Sequence, residues 1–213
     1  MGIPVLILGK TGSGKSTSLR SFQKGQIGIF NVASKPLPFR NKNELAIISN
    51  AGYETIERTL HKNTLKCYAI DDSQYLMAFE MFSKAKVKGY DKYTELALNF
   101  YNLIQMVIKG TSEDTIVYFL HHTDLADDGS IKAKTVGKML DEKLSVEGLF
   151  SIVIGCSYTE NGYKFITHTS GNDTIKTPME MFEEKYIDND LLTVDRTIRA
   201  YYGYKEENNE QTK

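Results

Sequence analysis

The chain is 213 residues long, with 26 Lys and Arg against 27 Asp and Glu and a formal net charge of −1. That length suits one α/β domain with a sizeable core. The charge excludes an overall basic coat, so a polyanion has to be gripped by a local patch or by one formed on assembly.

The run Ile3-Pro4-Val5-Leu6-Ile7-Leu8 is short and apolar, like a buried parallel strand. It leaves no room for a signal peptide, and no apolar run in the chain approaches the roughly 20 residues that span a bilayer. Gly9 to Ser16 then reads GKTGSGKS, a full match to the phosphate-binding pattern G-x-x-x-x-G-K-[ST]. Ser16 to Lys24 reads as a helix with Leu19 and Phe22 on one face, so the motif stands in its required strand–loop–helix context. Gly9, Gly12 and Gly14 permit the tight turn that aims backbone N–H groups inward, and the helix N-terminus adds positive potential. The expected cradle is Gly9, Lys10, Thr11, Gly12, Ser13, Gly14, Lys15, Ser16 and Thr17. Its ligand is a polyphosphate, with Lys15 on the β- and γ-phosphates and Ser16 on Mg²⁺.

Gln26 to Ala33 reads as a second strand, and the two prolines of residues 35–40 break any regular element. Leu45 to Ile48 is a short apolar run, and Tyr53 to Lys62 is helix-compatible. Leu65 to Ile70 is apolar and ends in Asp71-Asp72. In the long helical stretch that follows, Leu96, Phe100, Leu103, Ile104 and Val107 recur at three- and four-residue spacing, and Gly110 ends it. Thr115 to Leu120 is a strand leading into His121-His122 and a polar hinge at residues 127–130. Leu149 to Tyr158 pairs with Tyr163 to Thr169 across the Asn161-Gly162 turn. Helical pieces are expected over Pro178 to Tyr186 and Asp190 to Tyr202. A single domain over residues 1–205 and a disordered polar tail over 206–213 follow. Alternating strands and helices predict a mostly parallel sheet, covered on both faces, with a C-terminal hairpin. Cys67 and Cys156 lie in apolar runs without metal-ligand spacing and read as small buried hydrophobes, which fits a reduced, cytoplasmic compartment.

A phosphate loop needs an acid for its metal, placed at the C-terminal end of a buried strand. Asp71-Asp72 after Cys67-Tyr68-Ala69-Ile70 is that pattern, with Asp71 on Mg²⁺ and Asp72 where a water-activating acid stands. One of His121 and His122 is expected to sense the γ-phosphate. Lys132 and Lys134, spaced by one residue on an extended segment, point the same way and are candidates to enter a neighbouring subunit's site and offset charge on the γ-phosphate. Arg196 and Arg199 are weaker candidates for that role. Lys84, Lys86 and Lys88, with Tyr90 and Tyr93, are candidate nucleic-acid contacts.

Through GKTGSGKS, CYAIDDSQYL, FLHHTD, the Lys132–Lys134 pair and the segments KPLPFR and KTVGKMLDEKLSVEGLF, residues 1–170 resemble the RecA-core P-loop ATPases of bacteriophages, in particular the Sak-type single-strand-annealing recombinases. The resemblance implies a three-layer α/β/α P-loop NTPase, RecA-like. It also implies ATP hydrolysis with Mg²⁺, action on single-stranded DNA in recombination or replication, assembly into rings or filaments, and residence in the host cytoplasm. A second register, that of RecA-type sites, pairs Asp72-Ser73 with the metal. No glutamate ends the second strand, where RecA proteins keep a catalytic acid, and Glu54 is the nearest acid. The doubled aspartate instead resembles initiator-type AAA ATPases, so a helicase loader or initiator stands beside the first reading. A small-molecule kinase and a non-hydrolysing switch are further alternatives.

Overall fold

In a computed structural model of the chain, which describes residues 1–89, 91–137, 140 and 144–204, strand β1 (Ile3–Gly9) dictates the architecture. Val5 and Ile7 point to one side of the sheet and Leu6 and Leu8 to the other, and none is more than 3% exposed. A strand apolar on both faces needs cover on both. On the first face Leu6 and Leu8 pack with α1 (Tyr53–Lys62), α2 (Gln74–Ser83) and α3 (Asp91–Gly110) through Ile56, Leu76, Phe100 and Ile104. On the second, Val5 and Ile7 pack with Leu19, Phe22 and the closing helix α4 (Leu191–Tyr202) through Val194 and Ile198. The result is an α/β architecture of helix, sheet and helix layers.

Among the described residues the sheet has nine strands. Besides β1 these are β2 (Gly28–Asn31), β3 (Ala46–Ser49), β4 (Cys67–Asp71), β5 (Ile116–Leu125), β6 (Ile131–Ala133), β7 (Ile152–Thr159), β8 (Gly162–Ile166) and β9 (Tyr186–Asp188). Their order is β3-β2-β4-β5-β1-β7-β8-β9, with β6 paired to β5 off this path. The pairs from β3 through β7 are parallel, whereas β7–β8, β8–β9 and β5–β6 are antiparallel. Strand β5 thus separates β1 from β4. Its register sets Leu8 beside His121 and Gly9 beside His122.

Several expectations change. Residues 16–21 form a six-residue 3-10 helix, not an α-helix reaching Lys24. Leu19 and Phe22 are buried as expected, but so short a tight helix brings little macrodipole to the loop. The stretch after Asp72 is two helices, α2 and α3, joined by a turn. Strand β5 runs through both histidines because it continues into a hairpin with β6, so they lie within the strand. In the β7–β8 hairpin Thr159 pairs with Gly162, which leaves Glu160 and Asn161 as the loop. Gly162, at φ +87°, then supplies the left-handed residue of such loops. No helix forms over residues 178–186. A turn closed by Met181 N–H on the Pro178 carbonyl, with Glu180 at φ +63°, drops Met181 and Phe182 into the core and leads into β9. Helix α4 is as expected, its N-terminus capped by the Asp190 carboxylate accepting from Leu192 N–H.

The tail expected at residues 206–213, Tyr90 and residues 138, 139 and 141–143 of KTVGKMLDEKLSVEGLF lie outside the described residues. Among the described residues no helix is long and apolar enough to cross a membrane.

Arg199 is buried, not part of an exposed helical face. Its Nε donates to Asp195 Oδ2 at 2.6 Å, Nη1 to the Asp114 carbonyl at 2.9 Å and Nη2 to the Lys66 carbonyl at 2.8 Å. Tyr118 donates to the other Asp195 oxygen at 3.0 Å. One guanidinium thereby ties α4 to the segments that open β4 and β5, and it is occupied with structure. Arg196 lies on the exposed side of the same helix. Arg199→Ala leaves the buried Asp195 carboxylate uncompensated and is expected to cost roughly 3–5 kcal/mol, read as a fall in the urea midpoint. A midpoint equal to that of the parent protein would show that the tether is dispensable.

Candidate functional site

The loop between β1 and residue 16 is shaped by close approaches. A Cβ at Gly9 would meet the Cys156 carbonyl oxygen at 2.6 Å. Gly14, at φ +99°, would carry its Cβ into the Tyr163 ring at 2.7 Å. Only glycine suits either place. The Cys156 thiol, pushed up to about 11 by burial, donates to the Ser13 carbonyl at 3.1 Å and accepts from Asn189 at 3.3 Å. It therefore props the loop from β7. Lys15 is buried and donates through Nζ to the carbonyls of Gly9 at 2.7 Å and Lys10 at 3.0 Å. Burial lowers its pKa, and the neighbouring negative groups Asp72 and Asp71 oppose that.

Ser16 begins the 3-10 helix and donates through Oγ to Asp71 Oδ1 at 2.7 Å. The two residues come from the ends of β1's loop and of β4, with β5 between. Burial pushes Asp71 up to about 6, against the Ser16 hydrogen bond. A buried carboxylate with a hydroxyl beside it fits Mg²⁺, which takes one or two protein carboxylates and completes its shell with phosphates and water. Among the described residues no cluster of three His, Cys, Asp or Glu is arranged to hold a metal.

Asp72 takes the opposite course. At φ +61° its backbone is left-handed, so its side chain leaves the line of the strand. Its Oδ2 meets Lys35 Nζ at 2.5 Å, and its Oδ1 lies 3.0 Å from His122 Nε2. Burial raises the Asp72 pKa, but the hydrogen bonds from His122 and Lys35 outweigh it and hold the carboxyl below the usual range. A carboxylate only accepts, so His122 Nε2 carries a proton, and Nδ1 lies 3.2 Å from Thr11 Oγ1. His122 therefore bridges the glycine loop and Asp72. Lys35 reaches Asp72 because Asn31, at the end of β2, holds the Lys35 carbonyl at 2.6 Å. That strand end carries an amide and no acid, and Glu54 is in the first turn of α1.

His121 faces away from this group. It is fully buried against the Phe100 ring, with Nε2 2.7 Å from the Lys134 carbonyl and Nδ1 2.8 Å from Ser73 Oγ. A carbonyl only accepts, so Nε2 is protonated and Ser73 donates to Nδ1. Burial pushes its pKa down to about 4. Both nitrogens are spent on structure, and His122 alone of the pair meets the loop. Ser73, whose hydroxyl serves His121, is likewise turned from Ser16, so Asp71 and not Asp72-Ser73 is the acid that Ser16 meets.

Lys132 pairs with Asp124 across the β5–β6 hairpin. Lys134 is exposed and lines a cleft of about 270 Å³ with Lys10, Thr11 and His122 of its own chain. A second cleft of about 540 Å³ lies on the β7 side of the loop, between Thr11, Ser13, Tyr158 and Ile175. That volume is in the range of small-molecule sites. Lys35 and Tyr75, within the segments KPLPFR and CYAIDDSQYL, and Cys156 in its apolar run also belong to this neighbourhood, a placement that their local sequence does not specify. The chain matches no protein-family model and no curated protein.

His121 has a folded pKa near 4, below its ordinary 6.5, so the unfolded chain binds more protons between those values. Its contribution is fully present above pH 6.5 and is lost as pH falls toward 4, on the order of 3 kcal/mol. His121→Gln should be less stable at neutral pH yet lack that acid slope, as measured by urea unfolding across the window. Parallel slopes in parent and variant would contradict the assignment.

Proposed function

We propose that this chain is a Mg²⁺-dependent ATPase, a P-loop NTPase with a RecA-like core of the phage type. It acts on single-stranded DNA in recombination, annealing or replication as a homo-oligomeric ring or filament. The observation that carries the reading is the 2.7 Å contact of Ser16 with Asp71, which joins the glycine loop to the acid of a strand two places away. The hairpin that extends the sheet beyond β1 favours the RecA-like version.

In this mechanism residues 9–17 hold the triphosphate by their backbone N–H groups. The Lys15 ammonium turns from the Gly9 and Lys10 carbonyls to the β- and γ-phosphate oxygens, where it balances charge that grows as the phosphoryl group leaves. Ser16 and Asp71 would hold Mg²⁺, which supplies further neutralisation of the phosphate oxygens when bound. Asp72, kept ionised by its two donors, accepts a hydrogen bond from the attacking water. His122, already in contact with Thr11 and Asp72, registers the γ-phosphate by exchanging one partner for a phosphate oxygen. Lys134, lining its own chain's cleft, favours action within the subunit, while Lys132 is the candidate to reach a neighbour's site.

A helicase loader or initiator-type ATPase is the second reading, favoured by the acid that directly follows Asp71 and by the amide at the end of β2. Annealing activity on complementary strands separates the two. Lys15→Ala should lower phosphate release by at least about a hundredfold with an unchanged circular dichroism spectrum. Normal turnover in that variant would remove the mechanism.

A further inference from the structure

Helix α2 carries an aromatic row, Tyr75, Phe79 and Phe82 at i, i+4 and i+7, that runs from the core out to solvent. Leu76 and Met77 point inward, and the partly buried Tyr75 packs against the same core. Phe79 is 43% exposed and Phe82 76%. The Tyr75 and Phe79 rings stack on each other at 5.3 Å with 22° between planes, so Tyr75 is covered and the open ring surface is that of Phe79 and Phe82. The row's inner end is the nucleotide site. Tyr75 meets the His122 ring edge-on at 6.0 Å, and Lys35 Nζ lies 5.3 Å over the Tyr75 ring. Its outer end is the turn that bears Lys84, Lys86 and Lys88. Lys84 is engaged by Glu80 and Glu95, while Lys86 and Lys88 are exposed. Asp91, at the start of α3, is the acid nearest in sequence to that turn.

We infer that Phe79 and Phe82 form the surface on which bases of a single-stranded nucleic acid stack, with Lys86 and Lys88 on its phosphates and Tyr75, stacked beneath Phe79, linking occupancy to the His122–Asp72–Lys35 group. The inference rests on the proposed reading for taking that strand as DNA. Rings in a row with cations at the end are the combination that binds single strands without sequence preference. The helical rise sets Phe79 and Phe82 about 4.5 Å apart along the helix axis, a spacing that successive unstacked bases can follow. A second copy of this chain, near neutral overall, offers less charge complementarity to the lysine end than a phosphate backbone does. Stacking on Phe79 shifts the Tyr75 ring that lies against it and meets both donors of Asp72, so the strand and the triphosphate report to each other.

The test measures anisotropy of a fluorescein-labelled oligothymidylate with the full chain, and phosphate release with and without that strand. The double variant Phe79→Leu/Phe82→Leu keeps apolar bulk but removes both ring faces, and it should bind at least about tenfold more weakly. The double variant Phe79→Tyr/Phe82→Tyr should bind like the parent. Oligothymidylate should speed hydrolysis by the parent but not by the Leu pair, whose hydrolysis without DNA is unchanged. Equal affinity of the Leu pair and the parent overturns the surface. So does a Leu pair that only loses self-association in sedimentation, which would make the face a contact between copies. A parent that binds the strand without any change in turnover overturns the link through Tyr75. A parent that hydrolyses nothing counts against the ATPase reading instead, and the affinity comparison still decides the surface.

Discussion

The hydrogen bond from Ser16 to Asp71 holds the site together. Its two ends come from strands that do not touch, because β5 runs between them. The contact exists only if β1, β5 and β4 are parallel and end at one edge, which the register of Gly9 with His122 secures. The glycine loop must also turn back over that edge, and the close approaches at Gly9 and Gly14 are what allow it. Strand order, register and loop shape therefore meet in one interaction.

Two adjacent carboxylates are given different chemistry by one backbone angle. Asp71 continues the strand and sits in the interior, where desolvation raises its pKa. Asp72, turned left-handed, finds two donors that more than offset the same penalty. A cation placed at Asp71 would relieve an unfavourable burial, whereas Asp72 is already balanced and serves as an acceptor. The paired histidines divide in the same way. Alternation along β5 sends His121 into the first-face core, where it positions Ser73 and the Lys134 carbonyl, and sends His122 to the loop.

Charge in the neighbourhood is local. The chain is nearly neutral overall, yet Lys15, Lys35 and Lys134 converge on the edge that bears Asp71 and Asp72. Arg199 and Asp195 show the contrasting case. Their pairing is buried and lies at the opposite ends of β4 and β5, where it fastens a helix. Position relative to the strand ends separates a tether from a site.

The phosphate-loop pattern, the apolar strands, α1, α4 and the acid pair were all legible in the linear chain, because each is written in contiguous residues with a local physical cause. Two-sided apolarity in β1 and three- and four-residue spacing in α3 are visible without any partner. Local patterns misjudged residues 178–186, where Met181 and Phe182 are apolar because a turn delivers them to the core and not because a helix does. Folding in three dimensions was needed to show that Lys35 clasps Asp72, that His122 and not His121 meets the loop, and that Tyr75 stands between an exposed ring face and the site. Those contacts join residues far apart in the chain, and they follow from strand order and from the sign of φ at Asp72, neither of which a linear pattern carries.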